Sequence, residues 1–244
     1  MRITKIKLYA YDLHKMKEFY CTLLGFELLD EGTHFFDIVA GESNVRFEKL
    51  DASVAKQYHF AFNIPSNLFQ LAKKWAKERV DVLSLDDEDE VYFKTIDAYS
   101  CYFYDAENNV VELIARQQIN PSVNADTFSI EHIQDIAEIN LTTDAIADVV
   151  ERLKDYDITP LKGEDIRLDA LTFMGNYEEG AYLLIGPSER LWYFSTRKAI
   201  ISPIQIEVNK EIVISMTANG NFAISEQTKD RQQAILRFIV KINR

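Results

Sequence analysis

Glu112 stands between Val111 and Leu113 in an apolar stretch that reads as a strand. A carboxylate buried there alone would be costly, so the position calls for a metal ion, a lysine or a ligand. His59 lies in Tyr58-His59-Phe60-Ala61-Phe62, where period-two alternation turns its imidazole away from the three aromatic side chains. Neutral imidazole and ionised carboxylates are the donors of an open divalent-ion site, whereas a buried, hydrogen-bonded histidine is also an ordinary core group. Glu48 shares a strand face with Arg46 and reads either as a further oxygen donor or as half of a surface ion pair. His14 and His34 fall at a helix start and a loop edge, and His132 has no accompanying motif. The acidic run Asp86-Asp87-Glu88-Asp89-Glu90 lacks the glycine and the spaced ligands of a calcium loop and reads as a solvated connection.

These groups need strands to hold them, and the chain supplies strands in a repeating order. Residues 3–11 alternate as a half-buried strand. Asp12 then caps a helical spacing of Leu13, Met16, Phe19, Tyr20, Leu23 and Leu24, which Gly25 stops. Strands follow at 26–29, 34–40 and 44–50. The order strand, helix, strand, strand, strand returns with a strand at 58–64, a helix from Ser66 to Lys77, and strands near 80–85, 91–95, 100–104 and 110–115. Two such units imply pairing within one domain, because a single sheet carrying one helix leaves its other face uncovered. A polar run between Arg116 and Thr127 has linker chemistry. A third copy follows, with a strand at 136–142, a helix from Asp144 to Leu153, and strands near 158–161, 170–174 and 181–185. Strand patterns at 204–208 and 211–217, the hairpin signal Asn219-Gly220 and a helical spacing over 228–239 complete the chain.

The expectation is therefore an α+β protein: paired βαβββ modules forming a cupped mixed sheet over residues 1–116, a linker over 117–133, a third βαβββ-like unit over 134–207 and a β-rich tail with a hairpin and helix over 208–244. A net charge of −12 gives no basic stripe for nucleic acid. Two cysteines, Cys21 and Cys101, are too few for a disulfide framework. With no apolar run long enough for a bilayer, the reading is cytoplasmic, with no membrane partner.

Tyr11-Asp12-Leu13, Phe19-Tyr20 and Leu23-Leu24-Gly25-Phe26, together with the closing stretch from Tyr102-Phe103-Tyr104-Asp105 to Val111-Glu112-Leu113, resemble modules of the vicinal-oxygen-chelate superfamily, which holds glyoxalases, bleomycin-resistance proteins and extradiol dioxygenases. The resemblance implies a cup binding a small molecule, with metal ligands on the first and last strand of each module. It places His59, Glu112 and Glu48 as ligands of a divalent ion (Fe, Mn, Ni or Zn), Tyr102 and Glu112 as catalytic groups, and Lys5, Arg46, Glu48 and Asn63 as ligand-binding groups. The first ligand position of the first module falls on Lys5, whose ammonium has no lone pair for a metal and would instead compensate Glu48 and Glu112. In the third unit the same position falls on Ala137, and 181–185 offers no carboxylate, so no metal chemistry is expected there. Two functions stay open: a metal-free binding module, and a metal-dependent lyase or ring-cleaving dioxygenase using His59 and Glu112. A third reading is an interaction protein in which the unpaired third unit joins two chains into a homodimer.

Overall fold

The computed structural model describes residues 1–227, and the helix expected over 228–239 lies outside them. The first module has β1 (Ile3–Ala10), helix α1 (Leu13–Lys17), β2 (Leu28–Gly32), β3 (Phe35–Ala40) and β4 (Ser43–Lys49). Asp12 caps α1 by accepting from the Lys15 amide at 3.0 Å, and the helix continues as a π-helical stretch over Glu18–Leu23. The second module has β5 (His59–Asn63), α2 (Phe69–Lys77), β6 (Val91–Phe93), β7 (Ala98–Tyr104) and β8 (Val110–Arg116). The third has β9 (Asp135–Thr142), α3 (Ile146–Lys154), β10 (Thr172–Met174) and β11 (Tyr182–Gly186). The tail forms the meander β12 (Ile204–Val208), β13 (Ile212–Met216) and β14 (Phe222–Glu226). Two expected strands shrink to single bridges, Val82 with Phe103 and Pro160 with Met174.

The modules pair in a different order from the one expected. In the second and third modules the strands run β6-β7-β8-β5-β9-β11-β10, so β5 lies antiparallel to β9. In the first module and the tail they run β2-β3-β4-β1-β12-β13-β14. The two halves of this α+β sheet meet where Ile3 pairs with Ile136. β5 thus has β8 and β9 on its two edges and no pairing with β1, so the pairing expected between the first two modules joins the second and third instead. The stretch between them is packed rather than free: Asn120, Phe128 and Ile133 are buried, and the Phe128 ring meets Trp75 edge-on at 5.4 Å.

Gly41, in the β3–β4 turn, shows how tightly the first module docks on the third. Its φ is +59°, and a Cβ there would lie 2.0 Å from the carbonyl oxygen of Gln134, which also accepts from the Glu42 amide. Backbone on both sides prevents relief, so Gly41→Ala should destabilise the protein by about 3 kcal/mol or more, summing left-handed strain and overpacking. Chemical denaturation checks this, and a loss within about 1 kcal/mol would show that the turn can give way.

Among the described residues no helix is long and apolar enough to cross a membrane.

Candidate metal centre

One row of residues crosses the inner face of the second and third modules. Tyr102 on β7 lies opposite Glu112 on β8, Glu112 opposite Ala61 on β5, Ala61 opposite Glu138 on β9, and Glu138 opposite Tyr182 on β11. His59 precedes Ala61 by two residues and so projects from the same face. The small Ala61 side chain leaves space between the two carboxylates. His59, Glu112 and Glu138 each offer one donor atom, and the three atoms lie within 4.8 Å of one another.

Glu138 reaches the site because β9 is bulged. The register shifts so that Phe60 faces Ile139 and Phe62 faces Ile136, leaving Ala137 and Glu138 together between them. A β-bulge sets two residues against one and re-aims side chains locally. Ile136 and Ile139 then both join the main core, while Ala137 packs with Ala61, Ala98 and Ile114. The resemblance put the ligand position on Ala137; the bulge sets Ala137 and Glu138 together against Ala61, and Glu138 carries the donor. The signal was present as Ile136-Ala137-Glu138-Ile139, whose apolar residues are spaced by three before alternation resumes with Asn140 and Thr142.

Burial sets the electrostatics of the cluster. The side chains of His59, Glu112 and Glu138 are 6%, 3% and 6% exposed. Burial pushes the His59 pKa down to about 3, so the imidazole is neutral across the physiological range. Its Nδ1 lies 3.1 Å from the Val110 carbonyl oxygen, which fixes the proton on Nδ1 and leaves the Nε2 lone pair free. Nε2 is 3.4 Å from Oε2 of Glu112. Burial, reinforced by the neighbouring Glu138, raises the Glu112 pKa to about 8. Burial raises Glu138 as well, opposed by the Arg116 guanidinium, whose Nη2 donates to Oε1 of Glu138 at 2.5 Å.

The other expected site residues fall elsewhere. Lys5 does not face Glu112: its Nζ lies 3.1 Å from Asp37, which also accepts from Arg46 Nε at 2.6 Å and Nη2 at 2.9 Å. Glu48 is 3.5 Å from Lys7. Lys5, Arg46 and Glu48 thus form a charge network across β1, β3 and β4, and the reason is topological, since β1 pairs with β4 and β12 while His59 lies on β5. Asn63 is inside the cup but its amide is fully used. Its Oδ1 accepts from Arg116 at 2.6 Å and Asn120 at 3.2 Å, and its Nδ2 donates to Asp135 at 2.6 Å and the Gly180 carbonyl at 3.0 Å. With every donor and acceptor paired, it positions Arg116 and has nothing left for a ligand. Tyr102 lies beside Glu112 with its ring 6.2 Å from that of His59 and stacked on Phe194 at 5.6 Å. Sequence reasoning also missed Trp192, whose ring lies 4.8 Å from His59 and which arrives on an irregular segment carrying no periodic signal.

Comparison with known proteins agrees with this architecture. A family model described as Toxoflavin-degrading enzyme matches residues 136–190, which hold β9, α3 and β11. No curated protein matches the chain. Glyoxalase I from Zea mays is similar in structure over 96% of this chain and 94% of its own, with a TM-score of 0.57 at 11% identity. A candidate dioxygenase from Bacillus subtilis subsp. subtilis str. 168 is similar over 99% of this chain and 75% of its own, with a TM-score of 0.58 at 13% identity. The fold is that of the vicinal-oxygen-chelate superfamily. Superfamily likeness fixes scaffold rather than chemistry, so the chemistry rests on the site itself.

The donor set fits a divalent cation. The imidazole is held in the tautomer that presents Nε2, by the kind of backbone contact that orients metal-bound histidines. Two buried carboxylates sit beside it with a single guanidinium on one of them. A divalent ion would offset the charge of the two carboxylates, whose burial and mutual repulsion otherwise keep a proton on Glu112. The corresponding place on β11 falls among Tyr182, Leu183 and Leu184, so three donors are found at this point among the described residues.

Proposed function

We propose that the chain is a divalent-metal-dependent lyase or isomerase acting on a small oxygen-bearing molecule between its second and third modules. The observation that supports this reading is the convergence of His59, Glu112 and Glu138 on one buried point. Those three residues would hold the ion, which when bound supplies Lewis-acid polarisation of substrate oxygens. One nitrogen and two carboxylates make a harder, more oxygen-rich set than the two-histidine, one-carboxylate triad of iron oxygenases, and this favours redox-neutral chemistry over ring cleavage by dioxygen. The chain's own residues do the rest. Arg116 and Asn63 fix Glu138, Val110 fixes the His59 tautomer, and Trp192 with Tyr102 and Phe194 walls the site with aromatic rings that exclude water. Glu112 holds a proton in the neutral range without metal and would give it up to bind the ion.

Calorimetric titration with Mn²⁺, Ni²⁺ and Zn²⁺ tests the reading. Wild type should bind one ion per chain, and His59→Ala, Glu112→Gln and Glu138→Gln should each weaken binding by about tenfold or more, the scale associated with disturbing a metal site. Absence of binding by wild type, or equal binding by all three variants, would sink the proposal. The Arg116–Glu138 pair, together with a protonated Glu112, favours one rival: a metal-free binding module whose charges already compensate each other.

A further inference from the structure

Residues Glu189–Ala199 form an irregular hairpin whose buried Trp192 reaches the cup. It is held by Glu189 N to Ala199 O at 2.8 Å, Ala199 N to Arg190 O at 2.8 Å and Trp192 N to Arg197 O at 3.0 Å. Trp192 lies against His59, and the Arg190 guanidinium lies on the other ring of this stack, its Cζ 4.1 Å from the Trp192 centroid. Arg190 Nη1 donates to the Leu191 carbonyl at 3.0 Å. Its Nε and Nη2, and the Trp192 Nε1, are buried with no hydrogen-bond partner among the described residues. The hairpin's own acid, Glu189, is taken by Lys198 at 2.8 Å.

Buried donors are nearly always paired in a folded protein, and Arg190, itself partly buried, keeps two buried N–H groups unpaired at a cost. Burial lowers the Arg190 pKa to about 10 with no carboxylate opposing it.

We propose that Arg190, backed by Trp192 Nε1, is the anion-binding subsite of this cup, and that the substrate carries a carboxylate or comparable planar oxyanion in addition to the oxygens that meet the metal. This rests on the metal-dependent reading above. The planar guanidinium fork matches a carboxylate in a way that a point charge does not, and its stacking on Trp192 fixes the direction of the fork.

The test uses two probes that share a pair of chelating oxygens, catechol and 3,4-dihydroxybenzoate, titrated into Mn²⁺-loaded full-length protein. Wild type should prefer the carboxylated probe by about tenfold, as a charge-assisted bidentate contact warrants. Arg190→Gln should lose that preference while its affinities for Mn²⁺ and for catechol stay within about twofold, and Arg190→Lys should keep part of it. A wild type that does not discriminate, or a folded Arg190→Gln that still does, overturns the proposal. A second arm without metal compares benzoate with benzyl alcohol by ligand-observed NMR. If Mn²⁺ fails to bind but benzoate is held in an Arg190-dependent way, the subsite stands and the metal reading falls. If benzoate is ignored and the carboxylated probe gains nothing on the loaded protein, the subsite falls and the metal reading stands.

Discussion

Arg116→Met should destabilise the protein by about 3–5 kcal/mol, the usual cost of removing one partner from a buried ion pair. The Arg116 side chain is fully buried, on the same face of β8 as Glu112 and four residues further along. It donates to Glu138 and to Asn63 and lies over the Tyr182 ring at 4.8 Å. Methionine fills most of the volume but leaves the Glu138 carboxylate without a counter-charge beside Glu112, and it leaves Asn63 Oδ1 with Asn120 alone. At about 2–4 °C per kcal/mol for a chain of this size, the melting point should fall by roughly 6–20 °C. Two controls separate charge from packing. Glu138→Gln added to Arg116→Met should restore a large part of the loss, because the buried charge is gone. Saturating Mn²⁺ should stabilise Arg116→Met more than wild type, since the ion takes over neutralisation of Glu138 through ligand-linked stabilisation. A single variant within about 1 kcal/mol of wild type would mean that Glu138 is already protonated and Arg116 is a spectator.

The module content of the chain was legible because each module is local. Asp12 and Gly25 punctuate the first helix, and alternation marks β4, β5 and β8 well enough to place His59 and Glu112 on one face of neighbouring strands, where Glu112 lies opposite Ala61. The pairing between modules was not legible, because it joins edges far apart in sequence and leaves no periodic trace. Reading the modules in chain order put Lys5 beside Glu112, whereas β5 selects β9. The structure shows β5 and β9 buried on nearly every residue, polar ones included, as central strands are. Glu138 was hidden because the resemblance put the ligand position on Ala137, whereas a one-residue bulge sets Ala137 and Glu138 together opposite Ala61. Arg190 and Trp192 come from an irregular hairpin, where position is set by tertiary packing and sequence carries only residue type.

Metal affinity should rise about tenfold per pH unit between pH 6 and about 8 and then level off, giving close to a hundredfold change across that range. The slope belongs to Glu112. Burial and the adjacent Glu138 hold its pKa at about 8, so below that pH an incoming ion must displace one proton from the carboxyl. His59 adds nothing to the slope, because its pKa of about 3 leaves the imidazole neutral throughout. The sign for stability is the reverse. Glu112 titrates higher in the folded than in the unfolded chain, so between the ordinary glutamate range and about pH 8 the folded protein binds the extra proton, and stability without metal should fall as pH rises. Other buried acids titrate too, so the informative quantity is the difference between wild type and Glu112→Gln, which removes this one proton while keeping the side chain's shape. Wild type without metal should lose melting temperature relative to Glu112→Gln from pH 5 to 8, and saturating Mn²⁺ should cancel that relative loss by holding the carboxylate ionised. Calorimetry in two buffers of different ionisation enthalpy should count about one proton released per Mn²⁺ bound at pH 7, and none in Glu112→Gln. Affinity independent of pH, with no proton released, would place the ion away from Glu112 and remove the chemical basis of the proposed centre.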